Sequence, residues 1–97
     1  MGVRENKVET YLHDRVTKEL NGTTRKWVSP GRDGVPDRII ITPAVVWMVE
    51  VKTDDGTLSP AQVREHDRLR AAGATVKTVY GHAGVDELIE ELKACAS

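Results

Sequence analysis

The stretch Gly34-Val35-Pro36-Asp37-Arg38-Ile39-Ile40-Ile41, followed by Val45-Val46-Trp47-Met48-Val49-Glu50-Val51-Lys52, decides how this chain folds. A glycine–proline turn delivers Asp37 to the start of one apolar run, and thirteen positions later a second apolar run delivers Glu50 and then Lys52. Alternate side chains of a strand share a face. Glu50 and Lys52 therefore project together, while Val49 and Val51 point the other way. Two carboxylates and an ammonium converging at strand ends suit a hard divalent cation and a water held near a phosphate. Two half-exposed strands with ordinary surface charges would read the same way, so the flanking sequence has to discriminate.

Upstream, Val8, Leu12, Val16 and Leu20 recur every fourth residue with Tyr11 beside them, which predicts a helix over 4–20. Asn21-Gly22 ends it, because both residues tolerate positive φ. Thr24 to Val28 is a short strand, and Ser29-Pro30-Gly31-Arg32-Asp33-Gly34 is a loop by its turn residues. Arg38–Thr42 and Val45–Thr53 form an antiparallel hairpin across Thr42-Pro43-Ala44. Asp54-Asp55-Gly56 closes that unit, and turn chemistry alone accounts for the two acids.

Downstream, Ser59-Pro60-Ala61-Gln62 opens a helix: serine at the N-cap, proline in the first turn, glutamine three after the cap. That helix runs to Ala72 and stops at Gly73. Thr75–Tyr80 alternates as a strand, residues 81–84 turn, and a last helix carries Leu88, Ile89 and Leu92. The order is α-β-β-β-α-β-α. The strand–helix–strand crossover implies one parallel pair with right-handed packing, so the fold class is α/β, a mixed sheet with flanking helices.

Ninety-seven residues, 39% hydrophobic and 30% charged, make one domain over 1–97 and exclude a disordered chain. A core of this size is modest, and a symmetric partner would bury more apolar surface. No apolar run reaches membrane-spanning length and the N-terminus lacks a signal-peptide segment, so the expected location is the cytoplasm, with no membrane partner. The one cysteine, Cys95, cannot close an internal disulfide and fits a reducing compartment. His13, His66 and His82 show no zinc spacing. Net charge is −1, but residues 23–82 carry nine bases against seven acids, while 83–97 carry four acids against Lys93. If Asp37 and Glu50 held a cation, the central surface would be more positive still, so a neutral pI does not exclude phosphate binding.

Gly34-Val35-Pro36-Asp37 followed by Glu50-Val51-Lys52 is similar to the PD-(D/E)xK nuclease signature, and the chain resembles the VRR-NUC family within that superfamily, in its short stand-alone form. Glu5-Asn6-Lys7-Val8-Glu9, Ser29-Pro30-Gly31-Arg32, Leu58-Ser59-Pro60-Ala61-Gln62 and the strand after Gly73 also look like family positions, so the resemblance covers nearly the whole chain. It implies a restriction-endonuclease-like fold and a Mg²⁺-dependent DNA endonuclease in which Mn²⁺ can substitute. Stand-alone members resemble Holliday-junction resolvases. That implies a homodimer acting on branched, four-way DNA, in a bacterial or phage-infected cell. Nucleases for flaps or duplex ends, and a non-catalytic DNA-binding module of the same fold, stay open beside this.

Within the resemblance Asp37 and Glu50 are metal ligands, with the Val51 carbonyl a third. Lys52 orients or deprotonates a water, or stabilises negative charge. The family's helical acid is Glu5 or Glu9. Taking about 100° per residue, Glu5 lies nearer the inward stripe and is preferred, with Glu9 close behind. Gln62 reaches the site in the resemblance, but it can equally serve only as the closing residue of a capping box. Arg32 in the glycine loop, Lys26 before it and Arg38 after Asp37 are the expected DNA-phosphate contacts.

Overall fold

The structure, a computed structural model, describes residues 3–96, with side chains described from Asn6 onward. Seven elements follow in order: α1 (Val3–Glu19), β1 (Thr23–Lys26), β2 (Arg38–Ile41), β3 (Val46–Lys52), α2 (Pro60–Ala71), β4 (Val76–Tyr80) and α3 (Gly81–Ala96). The α/β class and the element order are those the sequence predicts. The sheet runs β1-β2-β3-β4. β1–β2 and β2–β3 are antiparallel, and β3 pairs with β4 in parallel, Glu50 opposite Thr78.

One face of the sheet carries the core. Val8, Leu12 and Val16 of α1 and Val85, Leu88, Ile89 and Leu92 of α3 pack on Ile40, Val49, Val51 and Val79. Trp47 borders this core, and Lys77 Nζ sits 5.0 Å above its ring. Strand alternation sends Glu50 and Lys52 to the opposite face, the one α2 covers. The sheet therefore separates an apolar layer from a polar one, and the two charged residues of β3 fall in the polar layer.

One boundary moves. The expected turn over 81–84 is absorbed into α3, which begins directly at Gly81. Gly81 takes φ +65°, and a Cβ there would lie 1.9 Å from Asp54 Oδ1, so the carboxylate occupies the space a side chain would need. The reversal from β4 to α3 is thus made at a single residue, and Asp54 has a packing position beyond its turn.

Polar contacts tie α1 to α3. Arg15 bonds to Glu19 and to Asp86, Tyr11 donates to Asp86, and Lys93 Nζ lies 2.9 Å from Glu19. The Arg15 guanidinium first, and Lys93 second, hold the Glu19 carboxyl down from 4.5 to about 2. Such exposed pairs stabilise little. The contribution is complete above the ordinary carboxyl pKa and is lost as pH falls through about 2. Glu19→Gln is expected to melt slightly below wild type at neutral pH, with the gap closing between pH 4.5 and about 2 in a Tm-against-pH series.

Candidate active site

Pro36 is buried and sets the chain's path into β2 with its fixed φ. Asp37, half-buried, follows immediately. Its carbonyl accepts from the Trp27 N–H at 2.9 Å, and its Oδ2 accepts from the Val51 N–H, also at 2.9 Å. The carboxylate is thereby pinned to β3 one residue beyond Glu50.

Glu50 is 2% exposed. Among the described residues, Gln62, Lys52 and His66 approach it. Gln62 Nε2 donates to Oε2 at 3.1 Å, Lys52 Nζ lies 3.7 Å from that same oxygen, and His66 Nε2 lies 3.8 Å from Oε1. Gln62 and His66 are four apart on α2 and share the face turned to β3. Burial is the main cause that pushes the His66 imidazole below its ordinary pKa of 6.5, with the Arg70 charge adding to it and Asp37, Asp67 and Glu65 opposing. His66 and Lys52 thus approach opposite oxygens of one carboxylate.

Gln62 closes the capping box and touches Glu50 at once. Its Oε1 accepts from the Ser59 N–H at 2.8 Å and its own N–H donates to Ser59 Oγ at 3.2 Å, which completes the capping box; the remaining amide hydrogens face Glu50. The two roles separate in Gln62→Glu. Glutamate keeps the capping acceptor, so the loss of stability is expected to stay below the ~1 kcal/mol typical of a lost cap. It also sets a second carboxylate against Glu50. If the chain cuts DNA as the resemblance implies, the variant should keep its Tm within a few degrees and lose most of that activity, which melting curves and a nuclease assay on one preparation would check.

The loop over 29–35 lies against the first turn of α2. Gly34 has φ +87°, and a Cβ there would come within 2.5 Å of the Ala61 carbonyl oxygen. Arg32 Nη1 reaches Glu65 Oε1 at 3.5 Å, and Arg68 reaches the same oxygen at 3.2 Å. Arg32 and Lys26 keep side chains 55% and 48% exposed, available to a phosphate.

Arg38, an expected phosphate contact, is engaged within the protein. It is 22% exposed, donates from Nε to Glu9 Oε1 at 3.0 Å and reaches Thr24 Oγ1 at 3.4 Å. Strand alternation explains this, since consecutive residues Asp37 and Arg38 must leave the strand on opposite sides. Glu9 is 3% exposed and also faces Lys26 at 3.6 Å. It is a buried acid tied to two bases rather than a solvated helix residue, and its described contacts run to Arg38 and Lys26. The Glu5 side chain lies outside the described residues. His66 is the neighbour of Glu50 that the sequence reading passed over; its four-residue spacing from Gln62 was the available signal.

Asp37, at the entry to β2, and Glu50, on β3, supply hard oxygen donors. Among the described residues no group of three or more His, Cys, Asp or Glu side chains converges as a metal cage. That donor set fits Mg²⁺, which is held by one or two carboxylates and keeps several waters, better than a closed zinc site.

No protein-family model matches the chain. It is 43% identical over 75 residues to a protein of Acyrthosiphon pisum secondary endosymbiont phage 1 named "Putative nuclease p44", a match that covers 76% of this chain and 80% of that protein. A solved structure described as "VRR_NUC domain" superposes with a TM-score of 0.84 at 41% identity, covering 92% of this chain and 97% of the other. A second, described as "VRR_NUC domain protein", gives a TM-score of 0.74 at 18% identity over 98% of this chain and 92% of its own, a likeness of fold.

Proposed function

The chain belongs to the VRR-NUC nuclease family, and we propose that it is a Mg²⁺-dependent endonuclease that hydrolyses DNA phosphodiester bonds at branched substrates, four-way junctions foremost. The observation that carries the reading is the buried Glu50 carboxylate with Lys52 and Gln62 on one oxygen, beside an Asp37 held by the next backbone amide. Asp37 and Glu50 would hold the ion, with the Val51 carbonyl as a further oxygen donor. A bound divalent ion supplies Lewis-acid polarisation of the phosphodiester and acidifies a coordinated water.

The chain's own residues do the positioning. Gln62 fixes one Glu50 oxygen by a hydrogen bond. Lys52, on the same strand face, is placed to orient the attacking water or to balance charge as it develops on the phosphate. Arg32 and Lys26 offer donors to flanking phosphates, which orient a duplex without reading its sequence. Val28, Ile41 and Val46 are exposed apolar residues, surface that a second copy can cover, and a two-fold dimer would bring two such sites to two strands.

The test is a panel of four-way junction, flap, linear duplex and single-stranded DNA, cut with Mg²⁺ and with EDTA, by wild type and Lys52→Ala, alongside a measured solution mass. Junction cleavage that needs Mg²⁺ and is lost in Lys52→Ala supports the proposal. Equal rates on junction and linear duplex would remove the preference for branched DNA. Cleavage unaffected by EDTA, or no cleavage of any substrate, would sink the metal-dependent nuclease reading.

A further inference from the structure

His66 is 0% exposed, and among the described residues neither ring nitrogen has a hydrogen-bond partner. Leaving a buried polar group unpaired is destabilising. A leucine at this helix position would avoid that penalty, so stability alone does not account for an imidazole here. Its surroundings give a reason. His66 and Gln62 stand one turn apart on α2 and straddle the Glu50 carboxylate, Gln62 bonded to Oε2 at 3.1 Å and His66 Nε2 facing Oε1 at 3.8 Å. A neutral imidazole carries one N–H. The tautomer protonated at Nε2 carries its hydrogen on the nitrogen nearest Glu50 Oε1, and the 3.8 Å between them exceeds a hydrogen bond by well under 1 Å.

We propose that His66 is a positioning residue for Glu50: its Nε2–H holds the second carboxylate oxygen as Gln62 holds the first, so that the carboxylate presents a fixed edge to a divalent cation. The inference rests on the metal-dependent reading above. Arg32, Arg68 and the glycine loop play no part in it, because their ion pairs converge on Glu65 and not on Glu50.

The test uses the intact protein and three substitutions. His66→Leu removes the donor at similar volume. His66→Gln can place an amide N–H near the Nε2 position, and His66→Asn, being shorter, places one near Nδ1. Mn²⁺ alone is titrated by calorimetry into EDTA-stripped protein, Tm is recorded without metal, and kcat and KM are measured on the wild type's best DNA substrate. His66→Leu is expected to melt at or above wild type, to bind Mn²⁺ about 10–100-fold more weakly, as lost outer-shell contacts do, and to lose kcat with KM for DNA unchanged. His66→Gln should recover Mn²⁺ affinity and kcat, and His66→Asn should not. Wild-type Mn²⁺ affinity and kcat in His66→Leu overturn the proposal, as does equal behaviour of His66→Gln and His66→Asn. Should His66→Leu not fold, the Gln–Asn comparison decides. A wild type that binds no Mn²⁺ overturns the metal reading, and this inference with it; a wild type that binds and cleaves while the variants match it overturns this inference alone.

Discussion

Glu50→Gln is expected to abolish Mg²⁺-dependent cleavage while leaving the protein folded. The substitution is nearly isosteric, and it removes a charge from a position only 2% exposed. Amide for carboxylate keeps one oxygen toward Gln62 but withdraws the anionic donor a hard cation needs. A loss of about a thousandfold corresponds to about 4 kcal/mol of transition-state stabilisation, a scale appropriate to losing Lewis-acid help. Tm is expected to fall by no more than a few degrees, because relief of the buried charge's desolvation offsets the partner lost by Lys52, 3.7 Å away. Calorimetry should show Mn²⁺ binding lost in Glu50→Gln and kept in Lys52→Ala, in which only turnover falls. Wild-type cleavage by Glu50→Gln would remove this residue from the site.

Gly34→Ala is expected to be the most damaging small substitution, and to strike stability and activity together. At φ +87° an L side chain is strained, and the new Cβ would meet the Ala61 carbonyl oxygen at 2.5 Å, its carbon at 2.7 Å and Gln62 Cα at 3.0 Å. These are backbone atoms of a capped helix and have little room to give. Together strain and overlap should cost about 2–4 kcal/mol, which in a domain of this size lowers Tm by roughly 10 °C or more. Relief requires the loop to part from α2, which disturbs Asp37 three residues later and Gln62 on the other side. Gly31→Ala is the control. It shares a positive φ, +78°, but nothing lies within 4 Å of its Cβ, so only the conformational penalty of about 1–2 kcal/mol applies. Equal melting of the two variants would show that the contact with α2 is not the cause.

Much of this site is legible from periodicity because it stands on regular elements. The two-residue repeat places Glu50 and Lys52 together, a Ser-x-x-Gln pattern marks the start of α2, and a crossover forces β3 and β4 parallel. What escaped the reading is what depends on the sheet's two faces. Arg38 looks like a neighbour of Asp37 in sequence, yet the same repeat that unites Glu50 and Lys52 sends Arg38 to the α1 side, where Glu9 meets it. Glu9 looked marginal on a helical wheel. Its burial follows from having Arg38 and Lys26 opposite it, partners that only the docking of α1 on β1 and β2 reveals. His66 shows no zinc spacing, yet its four-residue distance from Gln62 puts it on the face turned to β3. Gln62 itself resisted an either-or reading, because one amide has enough donors and acceptors for both jobs.

That shared amide has a thermal consequence. Helix ends open far more often than helices melt. Each time the first turn of α2 frays, the bond from Gln62 to Glu50 is released with the cap, while the apolar layer on the far side of the sheet stays intact. If that bond supports cleavage, activity is expected to fall at a temperature below the midpoint of global unfolding, which activity and melting curves recorded on one preparation would check.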